Sequence, residues 1–460
     1  MPGADYDLAV IGSGGAAFAA AIRATGLGAR AVVIERGTVG GTCVNVGCVP
    51  SKTLLAAADA FHTAASHPFA GIETRAGAVD LAGLVAHKDE LVARLRQGKY
   101  VEVADAYGFE ILSGHARFVD GATLEVDGRP VRAGAHLVAT GAEPKVPHLP
   151  GLVEAGYLTS TTAMEMGQVP GRLVTVGGGF VGMEQSQLFA RLGSRVSLVG
   201  RLAPRAEPEL AARMERVFAD EGIEVVPQRA VAVEGDGAEV TVTTGDGARR
   251  VGDAVLVAVG RTPRVTDLGL DAAGVELDAD GFVAVDDELR TSNPAIFAAG
   301  DVTGGPQYVY VAAAQGTVAA DNALSGAHRR MDYVGLPSVI FTDPTLASAG
   351  MTEAGAVAAG HQVESRTLEL ADVPRALANR DTRGAIKLVA DAVTRKVLGV
   401  HAVAEGAGDV MLAATYAIKF GLTVEEVAGT WAPYLTMSEA LKLVAQSFKG
   451  DVKKLSCCAA

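Results

Sequence analysis

Two stretches of the chain repeat one hydrophobic rhythm: a short apolar run, a glycine-rich break, a helical segment and a second apolar run. The first is YDLAVIGSGGAAFAAAIRATGLGARAVVIE, with a buried strand predicted over Tyr6 to Ile11, an alanine-rich helix, and a second strand ending at Glu35. The second is RLVTVGGGFVGMEQSQLFARLGSRVSLVGR, from Arg172 to Arg201. Apolar runs of this length, bounded by glycine and joined through a helix, predict parallel strands covered on both faces. Each stretch is expected to be a β-α-β unit whose helix N-terminus can hold a dinucleotide pyrophosphate.

The segments between them set the domain order. HLVATGAEPKVP (His136 to Pro147) predicts a strand and a turn leading out of the first unit, and LVAVGRTPR (Leu256 to Arg264) closes the second. TSNPAIFAAGDVTG (Thr291 to Gly304) predicts an apolar strand running into Gly300 and Asp301, with VAAAQGTVAADNAL as the helix behind it. From Leu336 onward the pattern turns to strands with intervening amphipathic helices. A chain of 460 residues is too long for one core, so several domains are expected. The fold class is α/β, with two Rossmann-like dinucleotide-binding domains and a C-terminal α+β domain. The boundaries expected are 1–148 continued by 265–334 for the first domain, 149–264 for the second and 335–460 for the third.

One G-x-G-x-x-G turn is weak evidence for a nucleotide, because any tight strand-to-helix turn can use the same residues. Two in register are stronger: Gly12 and Gly14 with Ala17 in the third place, then Gly177 and Gly179 with Gly182. The two units differ at the acidic position. Glu35 stands 23 residues after Gly12, where a carboxylate binds ribose hydroxyls, which suits FAD. The same count from Gly177 lands on Gly200, followed by Arg201 and then Arg205. Guanidinium groups in place of the carboxylate favour the 2′-phosphate of NADPH over NADH.

A net charge of -13 argues against a nucleic-acid partner, which needs clustered Lys and Arg. The most apolar stretch, Phe18 to Ile34, is broken by Arg23 and Arg30, so no membrane insertion is expected. The opening MPGADYDLAVIG enters a strand without a basic region or cleavage site, which predicts a cytoplasmic protein. The four cysteines come in pairs, Cys43 with Cys48 and Cys457 with Cys458. In a cytoplasmic chain such pairs are more often catalytic or metal-binding than structural.

GGTCVNVGCVPSK (Gly40 to Lys52) resembles the redox-active disulfide motif of the glutathione reductase and lipoamide dehydrogenase family, and the domain order resembles that family over essentially the whole chain. VPRALANRDTRGAIKLV, WAPYLTMSEALKLVAQSF and the ending KKLSCCAA resemble its Hg(II)-reducing branch. The resemblance implies a homodimer, with the C-terminal domain as the dimerisation domain and the disulfide of one subunit facing that domain of the other. It implies extended FAD held by Gly12, Gly14, Gly15, Ala16, Glu35, Gly37, Thr42, Lys52, Ala116, Gly141, Asp301 and Val309, with Lys52 paired to Glu184 beside the flavin. It also implies that Cys48 is the flavin-proximal thiolate and Cys43 the thiol that meets substrate. Two departures stand out: Phe180 occupies a position that is Tyr in part of that branch, and the chain starts at the flavin unit, where many relatives carry a small metal-binding domain.

The cysteine chemistry agrees with that expectation. A thiolate at a helix start near Lys52 should have a lowered pKa and act as nucleophile or metal ligand. Adjacent residues have α-carbons ~3.8 Å apart, whereas a disulfide usually needs ~4.4–6.8 Å, so Cys457 and Cys458 suit a soft metal better than a resting disulfide. Soft thiolates prefer soft ions, and Hg(II) favours two sulfurs. The family's thiol reductases place a proton-shuttling His five residues before a Glu; counting back from Glu439 gives Tyr434. A phenol with pKa ~10 is a poor shuttle at neutral pH.

The expected function is NADPH-dependent reduction of Hg(II) to Hg(0) through FAD and the Cys43–Cys48 pair, with Cys457 and Cys458 delivering the metal from small thiols. Tyr434 disfavours the rival, a large thioredoxin-reductase-like disulfide reductase. The intact Cys43–Cys48 motif disfavours a flavoprotein that only sequesters mercury.

Overall fold

The computed structural model describes residues 4–237 and 239–450, so Cys457 and Cys458 lie outside the described residues. The chain divides into two compact units, one of Met1–Thr53, Ala82–Lys145 and Gly260–Asp332, the other of Leu54–Leu81, Val146–Val259 and Tyr333–Ala460.

In the first unit five parallel strands lie in the order Ile296–Ala298, Ala133–Val138, Tyr6–Ile11, Ala31–Glu35, Glu110–Ser113. Their apolar runs are buried on both faces, as the unbroken pattern requires: Leu8 and Val10 face the helices, while Ala9 and Ile11 face Phe118 and Leu124 of a three-stranded antiparallel sheet. The Tyr6–Ile11 strand connects to a neighbour on one side and the chain returns on the other. That order makes a switch point at the carboxyl ends, where open α/β sheets bind ligands. Helix Gly15–Gly26 starts at this point and packs against helix Val309–Ser325. Its alanines permit the approach, and Gly316 makes it closer still: a Cβ there would lie 2.0 Å from the Ala16 carbonyl oxygen.

The second unit contains four parallel strands, ordered Glu224–Val226, Arg195–Val199, Arg172–Val176, Ala254–Val257. It also contains a five-stranded antiparallel sheet, Pro337–Ile340, Thr345–Gly350, Val397–Ala404, Ala385–Asp391, Val363–Glu369. Helices Ala407–Lys419 and Glu439–Gln446 share a core with this sheet, through Met411, Ala414, Leu443 and Val444. The α/β class with two Rossmann-like sheets and a C-terminal α+β part is thus the observed architecture. Among the described residues no helix is long and apolar enough to cross a membrane.

Gly316→Ala should push the two helices apart and destabilise the protein by about 1–3 kcal/mol, the usual cost of overpacking. Chemical denaturation compared with the parent checks this; an unchanged midpoint would show that the helices can separate freely.

Candidate active site

The redox loop rests on the first dinucleotide turn, backbone against backbone. Gly12 has φ +105° and no room for a side chain, since a Cβ would lie 2.4 Å from the Ala139 carbonyl oxygen. Gly41, also left-handed at φ +64°, would place a Cβ 2.6 Å from the Gly14 α-carbon. Directly after this contact comes the short helix Gly41–Asn45 with Thr42 and Cys43, and Cys48 opens the long helix Cys48–Ala65. Asn45 braces the loop from within: its Nδ2 donates to the Val39 and Gly41 carbonyls at 3.0 Å each. Its Oδ1 accepts from Arg96 Nη1 at 3.1 Å.

Cys43 is half-buried and Cys48 exposed, and no disulfide joins them in this structure. A hydrogen bond with Cys48, reinforced by burial, pushes the Cys43 thiol well above its ordinary range, against the pull of Lys52. The lowered value expected at a helix start therefore does not extend to Cys43, which sits in a five-residue turn while Cys48 holds the start of the long helix. Tyr100 stands behind the pair, its phenol pushed up to about 12 by burial, with Cys43 and Cys48 adding to the shift. It remains a neutral wall, packed edge-on against Phe18 at 4.8 Å.

Around the turn the remaining groups form a cradle. The helix beginning at Gly15 has Gly14 as its N-cap and no side-chain cap, leaving backbone N–H groups for an anion. Glu35 accepts from Ser13 Oγ at 2.5 Å and from the Gly37 N–H at 2.8 Å. Ser13 Oγ in turn accepts from the Gly40 N–H at 3.0 Å, joining Glu35 to the redox loop. A Cβ on Gly15 would lie 3.2 Å from Val309 Cγ2, so Val309 closes over the turn. Gly141 is left-handed at φ +73°, and Ala116 is buried at the start of its strand.

Asp301 opens a short turn with its carboxylate 3.5 Å from Arg261 Nε. Burial holds Arg261 below and Asp301 above their ordinary values, and their attraction only partly offsets it. Arg261 Nη2 donates to the Ala142 carbonyl, while the buried Nε has no hydrogen-bond partner. A glycine cradle without room for a Cβ, a carboxylate at the end of the second strand and a buried donor lacking an acceptor fit a bound dinucleotide.

The second turn repeats the cradle with different charge. Gly177 has φ +115° and a Cβ there would lie 2.3 Å from the Ala258 carbonyl oxygen; one on Gly182 would lie 1.8 Å from that of Gly177. Gly179 caps helix Phe180–Arg191, which Phe180 opens. Arg201 and Arg205 are exposed, and neither guanidinium has an ion-pair partner among the described residues. Glu184 is buried and accepts from the Phe341 N–H at 3.0 Å; Lys52 belongs to the other unit. Tyr434 is exposed, next to left-handed Leu435, whose N–H donates to buried Glu439 at 3.3 Å.

Residues 6–316 match the family described as Pyridine nucleotide-disulphide oxidoreductase, and residues 336–445 match its dimerisation domain. The mercuric reductase of Streptomyces lividans is 55% identical, over 99% of this chain and 98% of that protein. That of Bacillus cereus is 50% identical, over 99% of this chain and 73% of that protein. The chain belongs to the mercuric reductase family of pyridine nucleotide-disulphide oxidoreductases. Its fold is similar to the HOCl-induced flavoprotein disulfide reductase RclA from Escherichia coli, with TM-score 0.86 and 28% identity over 96% of this chain and 99% of that one. LpdA from Mycobacterium tuberculosis matches equally, with TM-score 0.86 and 27% identity over the same shares.

This pyridine nucleotide-disulphide oxidoreductase uses a flavin and NAD(P)H, and it carries the family's dimerisation domain, which points to a homodimer. Sequence reasoning missed Ser13, Asn45, Arg96 and Arg261. Asn45 and Arg261 lie inside motifs that were read, VNVG and GRTP, but nothing local marks their partners. Among the described residues no group of three or more His, Cys, Asp or Glu could hold a metal.

Ser13→Ala removes the bridge between Glu35 and Gly40 and leaves a buried N–H unsatisfied, a loss of about 1–3 kcal/mol. Flavin should be released at lower temperature, read as the rise in free-flavin fluorescence on heating. Release at the parent temperature would show that the bridge is idle.

Proposed function

We propose that this chain is a cytoplasmic, NADPH-dependent reductase of Hg(II) with FAD as its flavin, catalysing NADPH + Hg(II) → NADP+ + H+ + Hg(0). The observation that carries the reading is the Cys43–Cys48 pair, held on a loop that rests on the dinucleotide turn. Mercuric reductases matched along nearly the whole chain support it. The division of labour among 1–148 with 265–334, 149–264 and 335–460 is part of the same proposal.

Glu35 binds ribose hydroxyls, with Gly12, Gly14, Gly15, Ala16, Gly37, Thr42, Ala116, Gly141, Asp301 and Val309 completing the FAD site. Gly177, Gly179 and Gly182 admit the second pyrophosphate, and Arg201 with Arg205 takes the 2′-phosphate. Bound FAD supplies the route for two electrons from the nicotinamide to the cysteine pair. Lys52, paired with Glu184, fixes charge beside it. Cys48 is the flavin-side thiolate and Cys43 the thiol that receives metal.

Cys457 and Cys458 take Hg(II) from small thiols and pass it to Cys43 and Cys48. Each exchange forms one sulfur–mercury bond and breaks one, with no change in oxidation state. Two electrons then convert Hg(II) to Hg(0) and release both thiolates. In the homodimer the C-terminal domain of one subunit serves the cysteine pair of the other, so Tyr434 and Glu439 line the path of the metal.

Two measurements test this. With Hg(II) in excess thiol, NADPH oxidation should be matched by elemental mercury vapour, and Cys48→Ser should abolish both along with the thiolate-to-flavin charge-transfer absorption. Retention of that band in Cys48→Ser and its loss in Cys43→Ser would reverse the roles of the two thiols. Arg201→Ala should erode the preference for NADPH over NADH by about tenfold, the worth of one hydrogen bond to a charged group. An unchanged ratio of kcat/KM values would move the 2′-phosphate contact elsewhere.

A further inference from the structure

Segment 200–207 joins strand Arg195–Val199 to helix Pro208–Asp220 and carries both Arg201 and Arg205. It is fastened at each end. At its start, a Cβ on Gly178 would lie 2.3 Å from the Arg201 carbonyl oxygen, and the Ala203 N–H donates to the Gly178 carbonyl at 2.8 Å. Ala203 is left-handed, φ 42°, a state that a residue with a Cβ keeps only where its surroundings enforce it.

At its end, Glu207 is 2% exposed and accepts from Lys387 Nζ at 3.0 Å and from the Glu353 N–H at 2.6 Å. Lys387 comes from strand Ala385–Asp391 of the C-terminal sheet, with its side chain 4% exposed. Its Nζ also lies 2.6 Å from each of Glu209 and Glu353. Burial opposes the ammonium charge, but the hydrogen bonds to Glu209, Glu353 and Glu207 override it and hold the amine protonated beyond its ordinary range. His401 Nε2 donates to the Met351 carbonyl at 2.9 Å and stands 3.8 Å from Glu207. A buried charge with three carboxylates around it is a rigid anchor, because withdrawing either side would strand the other. It belongs to none of the glycine turns and is remote in sequence from the segment it holds.

We propose that Lys387 is a positioning residue for nucleotide specificity: through Glu207 it fixes segment 200–207 so that Arg201 and Arg205 are presented, already ordered, to the 2′-phosphate. The inference rests on the reading above that these two arginines bind that phosphate. Arginine side chains lose rotamer freedom on binding, and a fixed backbone reduces what has to be ordered with them.

The test is calorimetric titration of the flavin-loaded protein with NADP+ and with NAD+. Lys387→Met should weaken NADP+ about tenfold while NAD+ stays within about twofold, as expected when preorganisation alone is lost. kcat at saturating NADPH should hold, and Lys387→Arg should restore NADP+ affinity. Equal weakening of both nucleotides, or of neither, overturns the inference. If Lys387→Met fails to fold, Glu207→Gln decides by the same ratio. The double variant R201A/R205A separates the two readings. If it leaves the NADP+ to NAD+ ratio unchanged, the 2′-phosphate reading falls and takes the inference with it. If it collapses the ratio while Lys387→Met does not, the inference alone falls.

Discussion

Gly14 and Gly41 meet with nothing but backbone between them, because a Cβ on Gly41 would stand 2.6 Å from the Gly14 α-carbon. The rest of the site follows from that contact. It fuses the dinucleotide turn and the redox loop into one surface, so the cysteines begin two residues after the point of contact. Ser13 ties the same two segments by side chain, donating to Glu35 and accepting from Gly40. Glycine in such places costs conformational entropy on folding. The cost is offset by the buried parallel sheet that fixes Gly12 at its switch point. Chemistry between bound groups needs approach to about 3–3.5 Å, and a side chain at position 41 would lift the cysteines away.

The legible part of this arrangement was whatever repeats locally. The apolar runs gave both parallel sheets, and the glycine spacing placed Gly12 and Gly177 where left-handed backbone is required. The closeness of Cys43 to Cys48 was expected from the resemblance of GGTCVNVGCVPSK to a redox motif. What escaped were contacts between residues far apart in the chain. Lys387 meets Glu207 across 180 positions, and Arg96 meets Asn45 across 51; no period or motif connects either pair. The direction of the Cys43 shift escaped for a related reason. A helix start lowers a thiol only at the helix that begins there, and the hydrogen bond between the two cysteines is visible only in three dimensions. The two-stranded pair Ala142–Pro144 with Arg261–Pro263 is three residues long on each side, too short for any alternation to register.

The second unit shows how buried charge can serve geometry. Arg191, 5% exposed, grips Glu221 through two nitrogens at 3.0 and 2.7 Å and also reaches Asp59 at 2.5 Å and Asp343 at 3.0 Å. Burial opposes its charge, yet Glu221 and the two aspartates hold it firmly protonated. Such networks add little net stability over apolar packing, but removing one partner costs about 3–5 kcal/mol. Their consequence is a single allowed arrangement. Arg191 fixes the helix that begins at the second glycine turn, and Lys387 fixes the segment beyond the next strand. Exposed Arg201 and Arg205 therefore stand on a frame that does not move with them.

In the proposed reaction the same logic of charge explains why a half-buried cysteine suits the metal. A lone thiolate at Cys43 would be an unpaired charge partly withdrawn from water, which is costly. Two thiolates bound to Hg(II) carry no net charge, so the setting that penalises the lone thiolate does not penalise the complex. Hard cations would gain nothing comparable, because they prefer oxygen to sulfur ligands. Among the described residues no third His, Cys, Asp or Glu joins the pair in a group that could hold a metal. A two-coordinate soft ion is then a metal suited to this pair, and reduction to Hg(0), which has little affinity for thiolate, lets the product leave.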